Sequence, residues 1–311
     1  MKQIKNALAL HQGDSSFTPR ELDKHLSNGQ PVIIRGLNKG ARAIGCWTPE
    51  YFFDMIKKNG DVISPRRLTP VGSQKINFKD ITLAPQPISE IVADCIDPED
   101  PDKEIYVPGI RMRNLQYMEQ DAPRTSLLRD IAGVYGEVFM GRNTQCVAHF
   151  HRDSQALLCQ MQGRKHVRLY PPSQLNKLSP FSAFTKYFNR SKINYFQHNR
   201  QDFPNTRGID PHRYPDAVRA QCIDVVVEPG DALFIPIHWT HVTQGKDWNV
   251  SMVYFWRARL RDWKVNGPAI RTLMSYPIKT LRFPFSIPAR LYTLFRLALL
   301  SKQSRTAKMP K

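Results

Sequence analysis

Residues 145–172 read QCVAHFHRDSQALLCQMQGRKHVRLYPP, and the spacing within this stretch decides the fold. Runs of strand length at 145–151, 156–161 and 165–170 are closed by Gly163 and by the Pro171-Pro172 pair. The gaps between them leave no room for crossover helices, as a parallel pairing would need. Working outward, a further strand is expected at 137–141. Residues 224–236, DVVVEPGDALFIP, read as strand, tight turn at Pro229-Gly230-Asp231, and strand, because glycine supplies the positive φ that such a turn can require. Residues 249–256, NVSMVYFW, give one more strand. Together 135–257 predict an antiparallel double-sheet barrel of the jelly-roll kind, so the fold class is mainly β with flanking helices.

Residues 1–134 read as a mixed α/β segment packing on that core. Thr18-Pro19-Arg20-Glu21 and Thr48-Pro49-Glu50 are helix starts, 31–36 is a short strand ended by Gly36, and 88–95 forms another helix. Residues 258–311 form a basic, helical C-terminal extension.

The composition excludes several classes. A chain of 311 residues with 41% hydrophobic and 23% charged residues is neither disordered, collagen-like nor a coiled coil. Forty-five Lys and Arg against 27 Asp and Glu give a net +18, and the segment from Arg257 to Lys311 carries thirteen basic residues against the single Asp262, a net +12. That tail is where nucleic acid or an anionic membrane surface would be met. From residue 288 it can form an amphipathic basic helix, which alternatively packs on the barrel or forms a homodimer. The five cysteines are odd in number, far apart and without a CxxC pair, which argues against a disulfide framework or structural zinc site. The short apolar patch at 7–10 is no signal-peptide core and no run approaches membrane-spanning length, so a cytoplasmic protein is expected.

Chemistry concentrates in His149-Phe-His151-Arg-Asp153, where positions i, i+2 and i+4 of an extended strand share a face. A second cluster, 235–241 (IPIHWTH), follows 88 residues after Asp153, counted to His241. Two imidazoles and a carboxylate are the facial triad of non-haem Fe(II) oxygenases, which leaves three cis positions open. Lys165 stands on a strand otherwise rich in apolar residues, and burying its ammonium without a counter-ion costs several kcal/mol, about 3 or more. A dicarboxylate chelating the metal at one end would present its other end to that lysine. An outward-facing surface lysine is the plainer alternative.

In order and spacing, Pro31-Val-Ile-Ile-Arg-Gly36, Trp47-Thr-Pro-Glu-Tyr51, His151-Arg-Asp153, Leu157-Leu-Cys-Gln160, Gly163-Arg-Lys165, Tyr170-Pro-Pro172, Pro229-Gly-Asp231, Ile235-Pro236, His241 and Val253-Tyr-Phe-Trp256 resemble the JmjC, or cupin-like, 2-oxoglutarate-dependent oxygenases. Among them the sequence is similar to the asparaginyl hydroxylase that inhibits hypoxia-inducible factor. The resemblance implies a double-stranded β-helix core, Fe(II) held by His151, Asp153 and His241, 2-oxoglutarate as cosubstrate held by Lys165, and O2. His238 then stands behind the site or at its entrance. His149 is the competing ligand.

The chain departs from the family pattern at several points. Counted back from Leu157-Leu158, the first two ligands would fall on Phe150 and Arg152, so a one-residue bulge before His151 is required. A cosubstrate-contacting threonine has no clear match: Ala148 holds its offset, and Thr144 or Gln145 could substitute. Ala156 and Tyr254 replace residues that are often polar in the family, and Tyr254 is taken as a cosubstrate neighbour. The implied activity is hydroxylation of a protein or peptide side chain with release of succinate and CO2. Alternatives are oxygenation of a small metabolite or RNA base, demethylation of methyl-lysine, and a non-catalytic binding protein.

Overall fold

The computed structural model describes residues 10–68, 82–99, 104–122, 124–193, 209 and 211–280. Among them thirteen strands build two sheets. The strands are β1 (His11–Gly13), β2 (Val32–Ile34), β3 (Ile63–Leu68), β4 (Thr82–Pro87), β5 (Ile105–Arg111), β6 (Tyr135–Arg142), β7 (Gln145–His149), β8 (Ser154–Gln162), β9 (Lys165–Tyr170), β10 (Ile223–Val227), β11 (Ala232–Ile235), β12 (Thr240–Gly245) and β13 (Trp248–Arg257). The larger sheet runs β1-β2-β11-β8-β13-β6-β5-β3-β4 and the smaller β10-β9-β12-β7. Within 135–257 every ladder is antiparallel, which makes the jelly-roll core.

The N-terminal segment does more than pack on that core. Its strands extend the large sheet at both edges, β2 beside β11 and β5 beside β6. Prolines at 85 and 87 sit on the outermost strand, where a missing N–H costs no ladder bond.

Alternation along β8 and β13 sorts the core into two layers. Ala156, Leu158 and Val253 point between the sheets, where they meet Val167, Leu169, Val225, Leu233 and Ile235. Leu157, Cys159, Met161, Met252, Tyr254 and Trp256 point outward, under the helices α1 (Pro19–Asn28), α2 (Ala43–Cys46), α3 (Pro49–Asn59) and α4 (Ile88–Ile96). Because both faces are covered, β8 is buried almost throughout and shows no polar stripe.

The helix starts follow the sequence rules. Thr18 caps α1 with a reciprocal bond from its own N–H to Glu21, and Thr48 caps α3 with Pro49 at the first position. The Pro229-Gly230-Asp231 turn is present, with Gly230 at φ 94° and Asp231 accepting bonds from the Gly36 N–H, the Glu228 N–H and the Arg35 guanidinium. At the same end of the barrel, where Arg164 pairs with Glu228, Gly163 has φ 66°, and an added Cβ would lie 2.4 Å from the Trp248 carbonyl oxygen.

A short α5 (Pro215–Val218) precedes β10, and the last element among the described residues is α6 (Gly267–Thr280), which seats Ala269 against Ile237, Ala258 and Trp263. The amphipathic helix expected from residue 288 lies outside the described residues. None of the five cysteines forms a disulfide. Among the described residues no helix is long and apolar enough to cross a membrane.

Candidate metal centre and its cavity

Strand β12 carries His241 and pairs with β7 so that His241 stands opposite His149, while Thr243 stands opposite Cys146. Two residues of β7, Val147 and Ala148, thus face the single Val242, a bulge of the kind that re-aims side chains beside sites. The chain then leaves β7 through Phe150 and brings His151 to the same point. Ring nitrogens of His149, His151 and His241 lie within 4.8 Å of one another.

Two of the rings, His149 and His241, have a defined hydrogen-bonding state. His149 Nδ1 bonds the Val147 carbonyl oxygen at 2.9 Å and His241 Nδ1 bonds the Trp239 carbonyl oxygen at 3.2 Å. With Nδ1 as donor, Nε2 is left as the lone-pair nitrogen, the arrangement metal-ligating histidines use. Nδ1 of His151 is buried and has no partner. Burial first, and repulsion among the rings second, holds the pKa of His151 well below its ordinary value; burial acts likewise on His241 and takes His149 down to about 4. Three neutral imidazoles whose ring nitrogens lie within 4.8 Å of one another are a chemically suitable donor set for a divalent transition metal.

The cluster lies in a cavity of about 670 Å³ that also holds Lys165. Lys165 Nζ donates to Ser251 Oγ, which donates at 2.7 Å to Gln160 Oε1. The Gln160 amide is held in turn by Asn249 and two carbonyl oxygens. Among the described residues no carboxylate pairs with Lys165, and burial lowers its pKa to about 8. Leu158, Ile235, Val253 and Phe255 supply an apolar wall; Tyr106, Tyr135 and Tyr187 also line the space.

Other expected site residues are placed elsewhere. Asp153 is outside the imidazole group and does not line the cavity: its backbone carbonyl is tied to the Ala258 N–H, and Ser154 takes the cavity-facing position at the start of β8. Thr144 and Gln145 also do not line it. The Thr144 carbonyl accepts from Gly245, and the Gln145 N–H donates to Glu104. The placement of Tyr254 beside the cosubstrate is corrected by strand alternation, since Val253 and Phe255 face the cavity while Tyr254 turns outward and donates to the Ala122 carbonyl. His238 sits at φ 71° with its N–H on the His151 carbonyl and its Nε2 on the Arg152 carbonyl, so it braces the 151–153 segment from behind.

Ser251 was not picked out from sequence, and Gln160 only as the end of the Leu157-Leu-Cys-Gln160 motif, without a role. The signal was available: on β13 Ser251 shares parity with Val253 and Phe255 and is the small polar residue on that face.

A family model described as a cupin-like domain matches residues 18–262. Lysine-specific demethylase 8 of Xenopus tropicalis is 31% identical over 111 residues, 35% of this chain and 22% of that protein. Lysine-specific demethylase JMJ30 of Arabidopsis thaliana is 29% identical over 106 residues, 34% of this chain and 22% of that protein. tRNA wybutosine-synthesizing protein 5 of Danio rerio is 31% identical over 101 residues, 32% and 26% of the two chains. The matched part is thus about a quarter or less of the length of these curated relatives.

Proposed function

Because the chain belongs to the cupin-like domain family, we propose that it is a JmjC-type oxygenase that uses Fe(II) and 2-oxoglutarate to hydroxylate a side chain of a protein or peptide. One observation carries the reading: imidazole nitrogens and a buried ammonium that has no carboxylate partner among the described residues line the same cavity. A dicarboxylate with one end on the metal and one on Lys165 satisfies both. When bound, Fe(II) supplies the O2 chemistry that couples decarboxylation of 2-oxoglutarate to succinate with hydroxylation of the substrate.

The protein's own residues have separable tasks. His151 and His241 would hold the metal. Lys165 binds the distal carboxylate, and Ser251, fixed by Gln160, sets where the ammonium stands. Leu158, Ile235 and Val253 keep water from that ion pair, which strengthens it. The relatives named as lysine-specific demethylases support a protein side chain as the substrate class.

The test is succinate release from 2-oxoglutarate by the Fe(II)-loaded full chain, without and with a peptide library, for wild type, His241→Ala and Lys165→Met. Turnover in wild type that is lost in His241→Ala, with weakened 2-oxoglutarate binding in Lys165→Met, is expected. A metal-loaded wild type that neither binds 2-oxoglutarate nor releases succinate would sink the reading.

A further inference from the structure

His149 and His241 face each other across the β7-β12 ladder with ring centroids 4.3 Å apart, closer than the 4.7 Å between His151 and His241. Both use the same local device, an Nδ1 bond to the carbonyl oxygen two residues earlier, which orients Nε2 and fixes the ring. The bulge at Val147 and Ala148 is what turns His149 to this side. The one carboxylate nearby in sequence, Asp153, is not in the group. Its Oδ1 accepts from Ser154 Oγ at 3.3 Å, and its backbone is anchored to residue 258 rather than to β12.

Deepening the oxygenase reading, on which it rests for the metal's use but not for its ligands, we infer that His149 completes the metal centre in the place the family resemblance assigns to Asp153. The cation is then held by three neutral imidazoles. Its charge is not reduced by a protein carboxylate, so the site keeps a full 2+ rather than a net 1+, and an anionic cosubstrate is attracted correspondingly more strongly. Lys165 and the metal both favour the same dianion.

The experiment titrates Co(II) into the metal-free full chain by calorimetry and records electron paramagnetic resonance of the Cu(II)-loaded protein, for wild type, His149→Ala and Asp153→Ala, with circular dichroism to verify folding. We expect Co(II) affinity to fall about 100-fold or more in His149→Ala and to stay within about threefold in Asp153→Ala. Cu(II) should show three nitrogen couplings in wild type and in Asp153→Ala. Should His149→Ala fail to fold, Asp153→Ala and the nitrogen count decide alone. Loss of affinity in Asp153→Ala with only two coupled nitrogens in wild type overturns the inference and leaves the oxygenase reading standing. Three-imidazole binding without any 2-oxoglutarate turnover supports the inference and sinks that reading; a wild type that binds no metal overturns both.

Discussion

Lys165 and Ser251 meet across the interior of the barrel, one from each sheet, with Nζ donating to Oγ at 2.5 Å. A single neutral hydroxyl is a poor partner for a buried ammonium, because hydrogen bonding replaces only part of the lost hydration. The protein therefore carries a destabilising charge that a bound carboxylate would relieve. Replacing Lys165 by methionine should lower 2-oxoglutarate affinity about 30-fold or more while raising the stability of the unliganded protein by about 1 to 2 kcal/mol, since an apolar chain of similar length removes the uncompensated charge. Urea unfolding and anaerobic calorimetry on the same samples check both halves. A variant that is less stable than wild type would show the ammonium to be better satisfied than the structure indicates.

The depressed pKa of Lys165 gives the binding a pH dependence of definite sign. Burial makes the ammonium lose its proton at about 8 instead of near its ordinary value. Only the charged form attracts the carboxylate, so 2-oxoglutarate affinity should be flat below about pH 8 and fall about tenfold per pH unit above it. Lys165→Arg keeps its charge throughout that range and should bind with little slope. Anaerobic titrations between pH 6.5 and 9.5, as an approximate window, test this; an affinity that stays level to the top of the range would exclude Lys165 as the anion's partner.

Strand positions and helix caps were legible in the sequence because each is set by local chemistry. Thr48-Pro49 starts a helix and Gly163 and Gly230 turn the chain whatever the rest of the fold does. Residues whose role depends on register were harder. The expected one-residue bulge exists, but it lies in β7 at Val147 and Ala148, ahead of His149, and that shift turns His149 inward. Tyr254 was misplaced by one position on a strand whose two faces are both buried, so that no polar stripe marks parity. The strand bearing His241 was also missed: THVTQG lacks an apolar run and is a strand only because β7 and β9 flank it.

Tyr254 tests that parity assignment directly. Its hydroxyl donates to the Ala122 carbonyl at 3.2 Å, on the helix-covered side of the large sheet. Tyr254→Phe should therefore cost about 1 kcal/mol in urea unfolding and leave 2-oxoglutarate affinity unchanged. A loss of affinity without a loss of stability would put the ring on the cavity side after all.

Arg168 and Asp224 stand opposite each other on β9 and β10, and the guanidinium meets the carboxylate through Nε at 2.7 Å and Nη2 at 2.8 Å. The arginine side chain is 2% exposed and the aspartate 22%. Removing the acid takes the bidentate carboxylate away from a buried cation, whereas the pair itself faces away from the interior that holds Lys165, since Arg168 has the parity opposite to Val167 and Leu169. Asp224→Ala should thus destabilise the protein by about 3 kcal/mol, and replacing both residues with apolar side chains of similar size should recover most of it, because desolvation of the pair offsets much of its attraction. The metal and 2-oxoglutarate affinities of the folded fraction should not change. Equilibrium unfolding of the single and double variants decides the matter: equal losses in both would mean that the pair contributes net stability rather than merely avoiding a stranded charge.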